Sequence, residues 1–311
     1  MPNNWKDLRI VFMGTPDFAV SSLDALVRAG ATIVGVVTAP DKPAGRGLAL
    51  QESAVKKYAV EHDLHLLQPE KLKNPGFLDA LAECKADVQV VVAFRMLPEV
   101  VWNSPPLGTI NVHASLLPRY RGAAPINWAI INGETETGVT TFLLRQEIDT
   151  GNILLQDRVP IGPTMTAGEL YDVLKEKGAA LLVKTLEELS TLKGQPQPAM
   201  PEESLPHAPK IVTETCKIDW NLPIDRIYNL IRGLSPYPAA FTELDGKILK
   251  IFTGEKEASK EPGSPGGVMT DGKTYLKFAG ADGDVRVLDL QLEGKKRMKV
   301  TDFLRGYRLK S

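Results

Sequence analysis

Cysteine is scarce in this sequence: Cys84 and Cys216 are the only two among 311 residues, and they lie far apart. A structural zinc site draws about four ligands in paired spacing, and a disulfide-stapled fold needs a dense cysteine framework. Neither organises this chain, and two plain thiols in a reducing compartment are expected. No stretch approaches the ~20 apolar residues that span a bilayer. Met1–Asp7 has no apolar core of a secretory leader, so a cytoplasmic location without a membrane partner is expected. Neither sign of charge is in excess, since 37 Lys and Arg face 38 Asp and Glu. The whole-chain charge therefore does not announce nucleic acid, although recognition uses local patches rather than sums. G-x-G-x-x-G, the P-loop and G-x-S-x-G are also missing, which removes the usual signals of a dinucleotide site, a phosphate cradle and a serine nucleophile.

What is present reads as an ordinary globular chain, 43% hydrophobic and 24% charged, long enough for two domains. Leu8–Met13, Ala31–Thr38, Asp87–Phe94 and Thr109–His113 are short β-branched apolar runs. Between them lie helical patterns, from about Asp17 (a candidate cap) to Ala29 and from Glu52 to His62. Strands alternating with helices imply right-handed crossovers and a mainly parallel sheet, whose ligands bind at the carboxyl ends of the strands. A long amphipathic helix is expected from Thr166 to about Leu192. Prolines 196, 198, 201, 206 and 209 then mark a semi-rigid connector. Beyond it, one helix (Ile224–Gly233) and short strands broken by Asp-Gly and Pro-Gly clusters predict a small all-β barrel. The expected division is an α/β catalytic domain at 1–192, a linker at 193–209 and a barrel at 210–311. From Ala208 onward, 18 Lys and Arg exceed 14 Asp and Glu, with the surplus gathered at Lys295–Lys299.

The residues that could carry chemistry begin in the fourth of these runs. Side chains two apart on a strand share a face, so Asn111 and His113 project together at a carboxyl end. A histidine there is as readily structural as catalytic. An amide beside an imidazole, however, is what an acyl-transfer site needs to hold a developing oxyanion. Asp149, in Ile148-Asp149-Thr150-Gly151, fits routine turn chemistry; its other reading is a carboxylate that orients His113. Pro40–Gly47 is a basic Gly/Pro-rich loop after the second strand. Lys42 and Arg46 there suit either solvent or a phosphate-rich partner.

Asn111-Val112-His113-Ala114-Ser115-Leu116-Leu117-Pro118 resembles the formyltetrahydrofolate-dependent formyltransferases. Phe12–Phe18, Asp41–Gly47, Arg119–Ile126, Asp149–Gly151, Ile218–Trp220 and Gly294–Met298 with Asp302–Gly306 narrow the likeness to members that act on methionyl initiator tRNA. The likeness implies a Rossmann-like domain followed by an oligonucleotide-binding-type barrel. The implied reaction moves the formyl group of 10-formyltetrahydrofolate, a co-substrate, onto the amino group of charged initiator methionine, by a monomer and without a metal. It places catalysis on Asn111, His113 and Asp149, folate contacts on Ser115, Leu116, Leu117 and Pro118, and tRNA contacts on Lys42 and Arg46. Where the family carries an aromatic followed by Gly, this chain has Phe94-Arg95, which alters backbone freedom beside the expected pterin. The alternative is the same chemistry on a small amine, glycinamide ribonucleotide or an amino sugar, or hydrolysis of the formyl folate.

Overall fold

The computed structural model describes residues 4–44, 49–259 and 263–308. The chain forms two compact units. The first takes 1–121, 138–159 and 172–206, and the second 122–137, 160–171 and 207–311. Two earlier pieces, 122–137 and 160–171, thus group with the C-terminal β domain rather than with the rest of 1–192.

The first unit is built on a seven-stranded sheet ordered Ile153–Pro160, Glu136–Leu143, Thr109–His113, Val88–Val92, Arg9–Gly14, Thr32–Val37, Leu66–Leu67. Pairings from Thr109–His113 through Leu66–Leu67 are parallel, and Thr109–His113 meets Glu136–Leu143 antiparallel. Val88–Val92 is buried along its whole length, as a central parallel strand covered on both faces must be. One face packs Met13, Val37 and Val91 against Phe77 and Leu81, which lie on the helix Pro75–Glu83. Asp17 does not cap its helix: Asp17–Arg28 starts after Pro16 with no side-chain cap, and Asp17 sits in the first turn, where a carboxylate still favours the helix dipole. Gly30 ends that segment at φ +79°, a conformation open to glycine at little cost.

Strand order reverses between Arg9–Gly14 and Val88–Val92. The chain runs outward on one side of the first strand and then returns on the other, and a crevice opens where the connections part. A Cβ at Gly14 would stand 2.5 Å from the Ala19 Cβ and 3.0 Å from the Val92 carbonyl oxygen. Only glycine therefore lets the first strand turn into its helix this close to the neighbouring strand.

The second unit carries an antiparallel sheet ordered Ala240–Leu244, Lys247–Ala258, Gly283–Leu292, Leu276–Ala279, Val268–Thr270, with Met298–Lys299 added to Gly283–Leu292. Register breaks between Ile251 and Gly254 are bulges, which sharpen twist and bend a sheet toward closure. Its core packs Ile227 and Ile231 of the helix Ile224–Gly233 and Phe303 of the short helix Val300–Arg305 onto Leu249, Phe278 and Val285. The sequence reading anticipated the first of these helices and not the second. Ile131 joins the same core, which is why 122–137 belongs to this unit.

Candidate active site

Polar side chains from two distant stretches of the chain come together at the end of the strand Thr109–His113, where Asp149 approaches His113. Asn111 and His113 share its face, as period two requires. Asn111 is flanked by Val91 in parallel register and Phe142 in antiparallel register. It is half-buried, and its side chain makes no hydrogen bond to another described residue. His113, the last residue of the strand, is 8% exposed. Its Nε2 lies 2.8 Å from the Tyr120 carbonyl oxygen. A carbonyl only accepts, so Nε2 carries the proton. Nδ1 faces Asp149, whose Oδ2 is 3.8 Å away and whose residue is 9% exposed. At that distance the pair is ionic rather than hydrogen-bonded when the ring is protonated, so the Tyr120 carbonyl, not Asp149, sets the ring's orientation.

Two of the groups rest on left-handed backbone. Tyr120 has φ +59° and Asp149 φ +55°, a region that costs an ordinary L-residue about 1–2 kcal/mol and that Asp tolerates best among charged residues. The strain is held from outside. Leu143 N–H donates to the Asn152 carbonyl at 3.0 Å, closing the loop that carries Asp149. Gln197 Nε2 donates to the Asp149 carbonyl at 2.6 Å and the Gly151 carbonyl at 3.0 Å, while Arg121 Nη2 donates to Gln197 Oε1 at 2.7 Å. The Tyr120 carbonyl, Gln197 and Arg121 escaped the sequence reading. Gln197 gave no signal, being one residue in a proline-rich connector.

The run Ser115–Pro118 is interior. Ser115 is 0% exposed and donates its hydroxyl to the Arg119 carbonyl at 2.7 Å, while Thr140 donates to the Ser115 carbonyl at 2.6 Å. Leu117 and Pro118 are buried as well, and only Leu116 is half-buried. The hydroxyl of Ser115 is thus spent inside the protein. Burial also pushes the thiols of Cys84 and Cys216 up, which suits packing rather than attack.

A cleft of about 480 Å³ opens at the carboxyl ends of the parallel strands, lined by Thr15, Ala39–Lys42, Glu70, Phe94 and Arg95. It lies at the crevice expected from the reversal of strand order. Arg95 does not take up the left-handed conformation a glycine would permit; Ala93 does, at φ +46°. The Arg95 guanidinium lies 5.6 Å from the Phe94 ring centre and donates to the carbonyls of Pro69 and Glu70, that to Glu70 at 2.8 Å. Lys42 is exposed at the rim, and Arg46 lies outside the described residues. No group of three or more His, Cys, Asp or Glu that could hold a metal occurs among the described residues. No described helix is long and apolar enough to cross a membrane.

The basic run in the second unit is only in part free. Arg297 binds Asp289 through Nε at 2.9 Å and Nη2 at 3.0 Å and lies 4.1 Å from the Phe252 ring centre. Lys299 reaches the same carboxylate at 3.5 Å. Lys295 lies 5.8 Å from the Tyr307 ring centre, and Lys296 has no ion pair with a described residue. Within this run, Lys295 and Lys296 are the cations without a carboxylate partner among the described residues.

The chain as a whole is similar to known proteins. The formyl transferase model matches residues 8–186 and the formyl transferase C-terminal domain model residues 210–308. The methionyl-tRNA formyltransferase of Bacteroides fragilis is 56% identical over 312 residues, covering 98% of this chain and 96% of that protein. That of Bacteroides thetaiotaomicron is 57% identical over 315 residues, covering 98% and 97%. Among solved structures, WlaRD, a sugar 3N-formyl transferase, superposes with a TM-score of 0.67 at 20% identity, over 93% of this chain and 99% of its own. HypX from Aquifex aeolicus, in complex with tetrahydrofolic acid, gives 0.65 at 19%, over 97% of this chain and 48% of its own; these two likenesses concern the fold. On the family matches and on identity sustained over both domains, the chain belongs to the formyl transferase family.

Proposed function

We propose that this enzyme transfers the formyl group of 10-formyltetrahydrofolate to the amino group of methionine charged on initiator tRNA. Whole-length identity to proteins named for that activity supports the acceptor. The observation that carries the chemistry is the placement of the Asp149 carboxylate 3.8 Å from an imidazole that shares a strand face with an uncommitted amide, that of Asn111. The substrate's amine is the nucleophile, so no protein Ser or Cys is needed. As the amine adds to the formyl carbon, the carbonyl π electrons move to oxygen. Asn111 donates an N–H to that oxygen. Nε2 of His113 is engaged by Tyr120, so a proton on Nδ1 lies between Asp149 and the reacting centre and donates beside Asn111. Asp149 takes the proton from the attacking nitrogen, directly or through a water. Collapse returns the electron pair and breaks the bond to the folate nitrogen, which receives the proton held by Asp149, directly or through a water, so that the carboxylate is restored.

The folate is expected to meet Leu116 and the backbone of Ser115–Pro118 rather than the Ser115 hydroxyl. Lys42 and Arg46 are assigned to tRNA phosphates, with the 1–192 domain catalytic, 193–209 a connector and 210–311 the tRNA-binding barrel. Formylation of charged initiator tRNA, with uncharged tRNA as control, tests the proposal directly. A chain that instead formylates glycinamide ribonucleotide or an amino sugar and leaves charged tRNA untouched overturns the acceptor.

A further inference from the structure

The strands Lys42–Ala44 and Ala49–Gln51 form an antiparallel hairpin with Lys42 opposite Gln51. Asp41 stands immediately before it and Glu52 immediately after it. Lys56, on the helix Ala54–Glu61, pairs with both: its Nζ contacts Asp41 Oδ2 and lies 2.8 Å from Glu52 Oε1. One cation therefore joins the two feet of the hairpin. Neighbouring bonds complete the base. Gln68 Nε2 donates to the other Asp41 oxygen at 2.9 Å and to the Ala39 carbonyl at 3.0 Å, and the Thr38 and Ser53 hydroxyls are 2.7 Å apart.

The Lys56 side chain is only 16% exposed. The hydrogen bond from Lys56, helped by Gln68, holds the Asp41 carboxyl below its usual range, and the bonds to Asp41 and Glu52 hold the Lys56 ammonium above its own. Both members stay charged across the neutral range. An isolated surface pair is worth little. This one differs because it fixes the separation of two backbone segments, and one of them, Ala39–Lys42, is a wall of the cleft.

We propose that Lys56 is a positioning residue for acceptor capture: by clamping both feet of the hairpin it fixes where Lys42 stands at the cleft rim, without touching a substrate itself. The inference rests on the tRNA-acceptor reading above. The test uses the full-length chain and its Lys56→Met and Lys56→Arg variants. Amide exchange is followed at residues 42, 44 and 49–51, together with KM for charged initiator tRNA, KM for the formyl donor, and kcat. Lys56→Met is expected to speed hairpin exchange and to raise the tRNA KM about tenfold, short of the ~100-fold that misplacing a reacting group can cost. Donor KM and kcat should stay within about twofold of wild type, as for a residue remote from the reacting atoms. Lys56→Arg, which keeps the charge, should restore exchange and tRNA KM together. The clamp is refuted if Lys56→Met leaves hairpin exchange and tRNA KM unchanged, or if donor KM rises in step with tRNA KM. A wild-type chain that formylates no charged tRNA refutes the acceptor reading instead, and the exchange measurement still decides the clamp.

Discussion

Replacing Asn111 by Ala isolates one donor of the proposed oxyanion site. The side chain is half-buried and makes no hydrogen bond to another described residue, so its removal strands no protein partner. The strand itself is held by backbone pairing to Val91 on one side and Phe142 on the other, which Ala retains. Folding stability should therefore change by less than about 1 kcal/mol. The rate should not be spared: one preorganised donor to a developing oxyanion is worth about 10²–10³ in kcat, or roughly 2.7–4 kcal/mol of barrier. Asn111→Asp sharpens the comparison, because the substitution is nearly isosteric but puts an acceptor where a donor is needed; its rate should fall at least as far as that of Asn111→Ala. The assay is single-turnover formylation of charged initiator tRNA at saturating formyl donor, with thermal melts and donor affinity measured on the same preparations. An Asn111→Ala enzyme that retains its single-turnover rate within about threefold would refute the role, since a loss that small lies below any oxyanion donor.

Further outcomes follow from the same geometry. Asp149→Asn keeps a side chain that tolerates the left-handed φ of +55° but removes the charge beside His113, and should lower kcat by about 10²-fold or more with its melting temperature held. Asp149→Ala should lose the same activity and, in addition, about 1 kcal/mol of stability; equal melting temperatures for the two variants would remove the backbone part of this account. Gly151→Ala would place a Cβ 1.6 Å from the Leu143 carbonyl oxygen. The loop must then move, at a cost of about 3 kcal/mol or more, read by denaturant unfolding. In the β domain, Asp271 accepts from the Thr274 hydroxyl and from the backbone N–H groups of Thr274, Lys273 and Tyr275, which holds its carboxyl well below the usual carboxylate range. A lowered folded value means stability that is complete above the unfolded value and lost as pH falls toward the folded one. The stability difference between wild type and Asp271→Asn should thus be flat from pH 7 to about pH 5 and shrink below about pH 4; a difference that grows on acidification would contradict the sign. Affinity for tRNA should fall linearly in log–log salt titration, and Lys296→Ala should flatten the slope while Arg297→Ala, whose guanidinium is already taken by Asp289, acts mainly on stability. Deleting 208–311 is a poor test of the barrel, because Ile131 packs in that domain's core and would lose its cover.

Local pattern carried far in this chain. The strand Thr109–His113 could be bounded from its residues alone, and with it the shared face of Asn111 and His113, because alternation along a strand is a property of the backbone and needs no partner. The helix Ile224–Gly233 was legible for the same reason, through its apolar spacing. Asp149 could be nominated but not placed. It lies 36 positions from His113, and what brings it there is the antiparallel pairing of Thr109–His113 with Glu136–Leu143 and a loop closed by Asn152 and braced by Gln197. The Tyr120 carbonyl that fixes the imidazole is backbone, so residue type never encodes it. Residue type also does not show how a polar atom is spent: a hydroxyl in a loop reads the same whether it faces solvent or, as for Ser115, donates to the Arg119 carbonyl. The two feet of the cleft hairpin, Asp41 and Glu52, meet on Lys56 for a related reason: charge identity is written locally, but which charges share a partner depends on how the chain folds back. The amino-acid order by itself determined the central strands and longer helices, the sheet class and the residue types available for chemistry, all short-range consequences of sterics and polarity, but not the short helix Val300–Arg305. Only tertiary structure decided which polar atoms are spent on one another and which are left for a substrate, since hydrogen bonds and ion pairs fall off within a few ångströms and sequence separation does not measure that distance.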